Sequence, residues 1–417
     1  MKIIVVGSCP TFLEWDCGAS RASRSPMTIP RRMNDGSMNR LAAMTIPPFK
    51  LERFFVPYEF SARYLLGSSD CESMAVGELL AMEPGAAERL QQLWLGYTEY
   101  EGAPELRAAI AALYDAIAPS QVLVFAGAEE AIFAYMHTAL APGDHLIVHA
   151  PGYQSLYEVA RSRGCDVTLW QAQEDHGWAL DLDELRGMIR PTTRAVVVNC
   201  PHNPTGYLMG AAEQREMVDL LRERGILLFS DEVYRELEHD AADRLPAACE
   251  LYEGAVSLGV MSKAYGLAGL RIGWVATRDR ALFERMASFK DYTTICNSAP
   301  SELLAAVALR QRERIVARNL AIVRRNLALL DAFFARHAAL FSWVRPRAGP
   351  IGFPRMLIER DSERFCVELV ERRGVMLIAG SCFFHGERHL RFGFGRENMP
   401  EALAQLDAYL GEGGLGA

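Results

Sequence analysis

A lysine between two apolar segments is the residue around which the candidate chemistry of this chain gathers. Lys263 lies in a glycine-containing loop after the apolar run 254–260 and before the apolar run 272–276, and both runs are typical of short buried strands. A lone lysine is most often a solvated surface residue. Beside a low-dielectric interior, however, the ammonium form is destabilised and the amine becomes nucleophilic, as in the lysines that form Schiff bases with aldehydes. Two interpretations therefore stand, a surface lysine and a covalent catalyst.

Two further charged residues lie where strands are predicted. Asp231 comes at the carboxyl end of the apolar run 226–230. Open α/β sheets bind ligands at that end, although a carboxylate there can also simply cap a turn. Arg391 lies inside a strand predicted over 389–394 and needs an anionic partner. Its planar fork suits a bidentate carboxylate, which belongs either to a ligand or to a structural salt bridge.

Turns that follow predicted strands supply candidate binding groups. Gly127, Ala128 and Glu129 follow one strand and open a helix, and backbone N–H groups at such a positive helix end bind anions. The prolines and glycine around Asn203 fix a turn from which its side-chain amide can donate. Tyr153 follows another strand, where its ring either stacks on a flat ligand or belongs to the core.

The segment around the lysine resembles a known signature. It is similar to the lysine motif of the class I and II aminotransferases, the fold-type I enzymes that use pyridoxal 5'-phosphate (PLP). Other motifs follow in the family's order over about residues 50–410, including Asn-Pro-Thr-Gly at 203–206. The matching residues of the lysine motif are Ser262, Lys263, Gly266, Gly269 and Arg271.

The resemblance implies a role for each candidate residue. Lys263 would hold PLP as a Schiff base and then act as base and acid at Cα, and Asp231 would keep the pyridine nitrogen protonated. Arg391 would clamp the substrate α-carboxylate, with Gly67 beside it. Tyr97 would reach across a dimer to the neighbouring subunit's cofactor phosphate, unless it is a turn tyrosine that packs locally. The other implied cofactor-binding residues are Gly127, Ala128, Glu129 and Arg271 at the phosphate, Tyr153 on the ring, Asn203 and Tyr234 at the O3′ oxygen, and Ser262; Asn203 is also implied in substrate binding and Tyr234 in catalysis.

The implied reaction is transfer of an amino group between an L-amino acid and a 2-oxo acid, by a homodimer with sites at the subunit interface. A second interpretation is β/γ-elimination, replacement or cyclisation on the same scaffold, as in the capreomycidine synthase-like branch of the superfamily. A PLP-domain transcription regulator would need an N-terminal helix-turn-helix module, and the first 44 residues lack that pattern.

Departures from the family pattern bear on the site. The turn 67–73 reads Gly-Ser-Ser-Asp-Cys-Glu-Ser instead of the commoner Gly-Glu-Pro, and Asp70 and Glu72 are candidates to meet a polar or cationic side chain. Val260 stands where a serine is common, so one phosphate contact is missing. The segment 291–297 has no arginine where dicarboxylate-specific members carry one, which speaks against aspartate or glutamate as the substrate.

Composition narrows the class of protein. The chain has 417 residues, a net charge of −8 and no strongly basic patch, so no nucleic-acid partner is expected. Its nine cysteines are scattered without a Cys-x-x-Cys pair, which predicts reduced thiols in the cytoplasm and no metal site. No apolar run reaches the ~18 residues that a membrane span needs.

Alternating strand and helix patterns over residues 110–276 predict a largely parallel sheet between helices. Together with the resemblance, this gives an α/β fold, PLP-dependent transferase fold type I, with a mainly parallel seven-stranded sheet and a smaller α+β domain. Local predictions include a short strand that ends in a polar turn within 63–70, a helix over 76–87, one long helix over 300–336 and a strand over 375–380.

The expected organisation has four parts. They are a disordered extension (1–44), an arm and small-domain segment (45–75), a large PLP-binding domain (76–296) and a C-terminal small domain (297–417). Residues 1–44 differ from the rest in lacking any periodic pattern. We therefore hypothesise that the true start is Met44 or another nearby methionine.

Overall fold

The computed structural model describes residues 46–413. The predicted extension and the hypothesis about its start codon lie outside these residues. None of the helices in the described part combines the length and the apolar character needed to cross a bilayer.

A seven-stranded sheet organises the chain, in the order β1-β7-β6-β5-β4-β2-β3. Only β7 runs antiparallel to its neighbours, β1 and β6, so the predicted mainly parallel sheet is confirmed. The strands are β1 Val122–Phe125, β2 His145–Ala150, β3 Asp166–Gln171, β4 Thr193–Asn199, β5 Leu227–Asp231, β6 Ala255–Val260 and β7 Gly273–Thr277.

Helices cover both faces of this sheet. Along β4, Ala195 and Val197 belong to one apolar cluster while Val196 and Val198 belong to another. Successive side chains of a strand point to opposite faces, so a strand buried on both sides reads as a continuous apolar run. The helices are Lys50–Phe55, Val76–Leu80, Ala86–Gln91, Pro104–Ala111, Ala128–Ala139, Ser155–Ser162, Leu182–Met188, Ala211–Arg224, Ala248–Leu251, Arg280–Lys290, Ala299–Arg310, Arg312–Arg336, Ser362–Arg373 and Met399–Gly411.

Two small sheets lie in the C-terminal third. A two-stranded sheet pairs β8 Phe341–Ser342 with β10 Arg355–Met356, and a three-stranded antiparallel sheet has the order β11-β12-β9. Its strands are β9 Ile351–Gly352, β11 Ile378–Ala379 and β12 Leu390–Gly393. The middle strand, β12, carries Arg391. The division into domains at 76 and 297 stays a prediction.

Four local predictions were wrong in extent. The helix predicted over 76–87 is broken between Leu80 and Ala86, where Pro84 lacks an N–H and Gly85 adopts φ +77°. The helix predicted over 300–336 is two helices separated at Gln311.

The two strands predicted at 63–70 and 375–380 are much shorter than expected. Tyr64 forms only an isolated parallel bridge with Val375, and of the second segment only Ile378–Ala379 is a strand. The chain after Tyr64 turns instead toward the cavity described below.

Candidate active site

A cavity of ≈ 330 Å³ lies at the carboxyl ends of β4 and β5 and beside the loop that follows β6. Most of the residues predicted for the site line it, although they come from widely separated parts of the chain. Those residues are Ala128, Glu129, Tyr153, Asn203, Asp231, Tyr234, Ser262, Lys263, Arg271 and Arg391. Further residues on its wall were not predicted for the site: Leu51, Glu52, Phe55, Glu59, Ser69, Asn199 and Arg396.

Asp231 is the buried acid of the cavity, at the end of β5. Its Oδ1 accepts from the Val233 amide at 3.2 Å, and its backbone carbonyl accepts from Asn199 Nδ2 at 2.9 Å. Burial raises the pKa of this carboxyl to about 7, against the opposing effects of the Val233 amide and the Lys263 ammonium. A buried acid of this kind is ionised most easily when a cation is placed against it.

Lys263 is half-buried on the wall of the same cavity. Its Nζ donates to Ser69 Oγ at 2.9 Å and lies 5.8 Å from the centre of the Tyr234 ring. The amine therefore has a fixed neighbour, and it opens onto the cavity that Asp231 lines. Ser69 belongs to the turn that departs from the family pattern, but no sequence signal indicated that its hydroxyl meets the lysine.

The residues that follow β1 and precede β7 form a cradle for an anion, made of Gly127, Ala128 and Arg271. Gly127, at φ +94°, immediately precedes the helix Ala128–Ala139, and a Cβ built on it would lie 2.5 Å from Arg271 Nη2. A Cβ on Gly273 would lie 2.7 Å from the Ala128 amide nitrogen. Glycine at both positions thus lets the Arg271 guanidinium approach a helix end whose N–H groups are unpaired within the helix.

Glu129 lies at the start of this helix, where its charge would oppose an anion. Its Oε2 accepts a hydrogen bond from Ser155 Oγ at 3.1 Å. Burial raises the pKa of Glu129 to about 7, so a large part of the population carries no charge near neutral pH. The carboxyl group is held by the neighbouring helix, and the backbone amides remain for the ligand. Val260, which also lines the cavity, brings only an apolar side chain.

Arg391 also lines the cavity and is 1% exposed. Its Nε donates to the Gly67 carbonyl at 2.9 Å and its Nη1 to Asn203 Oδ1 at 3.1 Å. Burial lowers its pKa. No carboxylate of residues 46–413 forms a salt bridge with it, so the structural salt bridge considered from the sequence does not exist in this part of the chain. The guanidinium is placed to receive an anionic ligand from the cavity.

Tyrosines complete the wall in different ways. The Tyr234 hydroxyl is buried and has no hydrogen-bond partner among the described residues, although it lines the cavity. The Tyr153 ring lies 4.8 Å from the ring centre of Phe49, and its hydroxyl donates to Glu52 Oε1 at 3.3 Å. Tyr97 does not line the cavity and is 91% exposed. Its predicted contact with a second subunit stays a prediction.

The two acids predicted to meet a substrate cation are engaged elsewhere. Asp70 lines the cavity, but its two oxygens accept from Arg396 Nε and Nη2 at 3.1 and 2.8 Å. Glu72 accepts from the Glu397 amide at 2.9 Å and does not line the cavity. Within residues 46–413, four of the acids that line it have no ion-pair partner: Asp231 and Glu129, described above, and Glu52 and Glu59.

The donor set fits PLP, the cofactor of the resembling family. The cradle of Gly127, Ala128 and Arg271 suits a phosphate, and the unpartnered Tyr234 hydroxyl suits the ring's O3′ oxygen. The buried carboxyl of Asp231 suits a protonated ring nitrogen, and the amine of Lys263 suits an aldehyde.

Comparison with known proteins identifies the class. A family model described as aminotransferase class I and II matches residues 65–406. The chain therefore belongs to this family of fold-type I, PLP-dependent enzymes, whose members act on amino acids.

Among the individual relatives, some are named as aminotransferases and others as a synthase or a cyclase. The chain is 31% identical over 371 residues to a capreomycidine synthase of Streptomyces vinaceus, covering 88% of this chain and 94% of that protein. A PLP-dependent aminotransferase from Streptococcus suis 89-1591 superposes with a TM-score of 0.83 at 33% identity, over 88% of this chain and 99% of that one. The PLP-dependent cyclase OrfR superposes with a TM-score of 0.81 at 29% identity, over 92% and 98% of the two chains.

Proposed function

We propose that this protein is a PLP-dependent aminotransferase that moves an amino group between an L-amino acid and a 2-oxo acid. The observation that carries the proposal is the cavity itself, because the Lys263 amine, the Asp231 carboxyl and the Arg391 guanidinium all face it. The family, and the likeness to the Streptococcus suis aminotransferase, support the same reaction.

PLP, when bound, supplies an electron sink for the pair released when a bond at the substrate Cα breaks. The protein's part is to orient the reactants. Asp231 is placed to hold a proton on the ring nitrogen, because pairing with a cation restores the charge that burial disfavours. With PLP bound, the Tyr234 hydroxyl would gain the partner that it lacks, and Gly127, Ala128 and Arg271 would hold the phosphate.

The substrate is held by its α-carboxylate against Arg391, whose Nε and Nη1 are already anchored by Gly67 and Asn203. Anchoring fixes the plane of the guanidinium before the substrate arrives, so less side-chain freedom is lost on binding. Lys263 Nζ is the base that takes the proton from Cα and later returns it. In the structure, Ser69 Oγ lies 2.9 Å from that nitrogen, within hydrogen-bonding distance.

A homodimer is the proposed assembly. Large apolar side chains are exposed around the predicted dimer contact, where a second copy would cover them. Trp94 and Leu95 precede Tyr97 in one exposed segment, and Tyr292 is exposed in another. Sedimentation or light scattering measures the assembly. A stable monomer that retains turnover would contradict both the dimer and the role of Tyr97 across it.

A second candidate function is elimination, replacement or cyclisation on the same site. The specific observation in its favour is that the chain covers 94% of a capreomycidine synthase and 98% of the cyclase OrfR. The same base and electron sink serve this chemistry when the substrate carries a leaving group beyond Cα.

One experiment separates the two functions. The PLP-loaded enzyme is incubated with each amino acid, with and without a 2-oxo acid, while the cofactor absorbance and the products are followed. Transamination converts the cofactor to its amine form, and a second 2-oxo acid restores it. Release of a 2-oxo acid or a ring product with the cofactor unchanged, and without an amino acceptor, would favour the second function. Turnover of any amino acid by Lys263→Ala would contradict both.

A further inference from the structure

We infer that the substrate carries a cation, an ammonium or a guanidinium, on its side chain, and that Glu52 and Glu59 bind it. The inference rests on the proposed function and names the class of amino acid that the site accepts. It begins from the helix Lys50–Phe55 with the turn that follows it, a segment that lines the cavity.

Two acids of this segment line the cavity on the same side. Glu52 belongs to the helix and Glu59 to the turn that follows it. The Glu59 amide donates to the Phe55 carbonyl at 2.9 Å. The segment is fixed to the body of the protein, because the Lys50 amide donates to Gln154 Oε1 at 2.8 Å. Glu52 is held further by the hydroxyl of Tyr153. The two carboxylates are therefore placed by the fold.

The charges around these acids do not balance. Three carboxylates and one guanidinium line this side of the cavity: Glu52, Glu59, Asp70 and Arg396. Arg396 forms a bidentate pair with Asp70, which accounts for one carboxylate. Neither glutamate has a salt-bridge partner within residues 46–413. Burial and the neighbouring charges of Glu52 and Asp70 raise the pKa of Glu59, which a bound cation would reverse.

A second observation indicates how the ligand is oriented in the cavity. Arg391 is 1% exposed, lines the same cavity and has no carboxylate partner in the described chain. Within residues 46–413, the cavity wall thus presents one buried cation without a carboxylate partner and two glutamates without a salt-bridge partner. An α-amino acid bound through its carboxylate to Arg391 directs its side chain away from that residue. A terminal cation then meets the glutamates, whereas a terminal carboxylate meets like charge.

The apolar residues of the same segment suit an aliphatic chain. Leu51 and Phe55 line the cavity beside the two glutamates. Lysine, ornithine and arginine side chains carry methylene groups that pack on apolar surface while the charged end reaches a polar partner.

Binding is measured without turnover by α-methyl amino acids, which lack the Cα hydrogen. The dissociation constants of α-methyl-ornithine, α-methyl-norleucine and α-methyl-glutamate are determined from the absorbance change of the PLP-loaded enzyme. We expect the order ornithine, norleucine, glutamate from tightest to weakest. We also expect the preference for ornithine to shrink as salt is added, because partly exposed charge pairs are screened.

Variants of the two glutamates test whether they are the residues that bind the cation. Glu52→Gln and Glu59→Gln are each expected to weaken α-methyl-ornithine roughly 2- to 5-fold, as for partly exposed ion pairs, and to leave α-methyl-norleucine unchanged. Glu59→Lys is expected to favour α-methyl-glutamate over α-methyl-ornithine. The matched control is Glu223→Gln, which removes an exposed carboxylate from the helix Ala211–Arg224, outside the cavity.

The outcomes separate the inference from the proposed function. Equal or tighter binding of α-methyl-norleucine, or ornithine binding that neither glutamine variant changes, overturns the cationic substrate and leaves the aminotransferase intact. Failure of every amino acid to change the absorbance overturns the proposed function and the inference with it. The assignment of Glu52 and Glu59 is also overturned if α-methyl-ornithine is preferred only by the dimer and both glutamates pair there with the partner subunit.

Discussion

Lys263 Nζ lies 2.9 Å from Ser69 Oγ, although 194 residues separate the two in sequence. The contact is held from both sides of the serine. The Gly67 carbonyl accepts from Arg391, and Asp70 pairs with Arg396. Together with the contact between Ser69 and Lys263, these interactions fix the turn against the cavity. The hydroxyl is thus a fixed neighbour of the amine that the proposed reaction requires.

Ser69→Ala is expected to lower kcat about tenfold with little change in KM, because a hydrogen bond to a charged group orients the amine. Ser69→Thr keeps the hydroxyl and should retain most of the rate. Steady-state kinetics and the pH dependence of the cofactor absorbance measure both effects. Ser73→Ala is the control, since that residue is exposed in the same segment. Wild-type kinetics for Ser69→Ala would remove the serine from the mechanism.

Arg391→Lys is expected to weaken amino acid binding by about tenfold or more, because a lysine cannot reproduce the planar fork or the contacts with Gly67 and Asn203. Titration of the PLP-loaded enzyme with an α-methyl amino acid gives the dissociation constant. Arg388→Lys, at an exposed pair with Glu359, is the control. Affinity that does not change in Arg391→Lys would mean that the carboxylate binds elsewhere.

Gly127→Ala is expected to weaken PLP binding by about tenfold or more. The added Cβ would lie 2.5 Å from Arg271 Nη2, and φ +94° is strained for any residue with a side chain. Fluorescence titration of the cofactor-free protein with PLP measures the effect. Gly77→Ala makes the same change in a helix with nothing within 4 Å and should bind PLP normally. An unchanged PLP affinity in Gly127→Ala would contradict the proposed phosphate site at Gly127, Ala128 and Arg271.

Asp231 makes the cofactor-free protein sensitive to pH. Burial raises the pKa of Asp231 to about 7 from its ordinary value of 3.8. Between these values the folded state binds more protons than the unfolded state, so the free energy of unfolding falls as pH rises. The penalty is complete above pH ~7 and is on the order of 4 kcal/mol, at about 1.4 kcal/mol per unit.

Asp231→Asn is therefore expected to stabilise the cofactor-free protein at pH ~8 relative to wild type and to have little effect at pH ~4. The same variant should bind PLP more weakly, because the ring nitrogen loses its partner. Denaturant unfolding at several pH values measures the first effect and fluorescence titration the second. Asp175→Asn, at an exposed position, serves as control. A stability difference that is the same at both pH values would contradict a raised pKa at Asp231.

Two residues that the sequence singled out, Lys263 and Asp231, line one cavity. Both follow apolar runs, and the parallel strands that such runs form bring their carboxyl ends to one edge of a sheet. The sequence was a poor guide to other parts of the cavity wall. Asp70 was expected to face a substrate cation, but it pairs with Arg396, 326 residues away in sequence. Nothing local in a sequence reports such a pairing.

Glu52 and Glu59 were missed for a related reason. Their segment shows only prolines, aromatics and a short helical pattern, and its place over the cavity depends on contacts with residues such as Gln154. The break at Gln311 was missed because neither a proline nor a glycine marks it. Local patterns predict elements, whereas long-range packing decides where those elements end and which of them meet.

The contacts between the turn at Gly67–Asp70 and the strand and loop at Arg391–Arg396 span more than 320 residues, as the separations of 324 and 326 show. A chain that emerges from the ribosome in order holds Lys263 and the anion cradle long before it holds Arg391. Closing so long a loop is also entropically costly and slow. The residue that we propose to bind the substrate carboxylate is thus among the last parts of the site to be put in place.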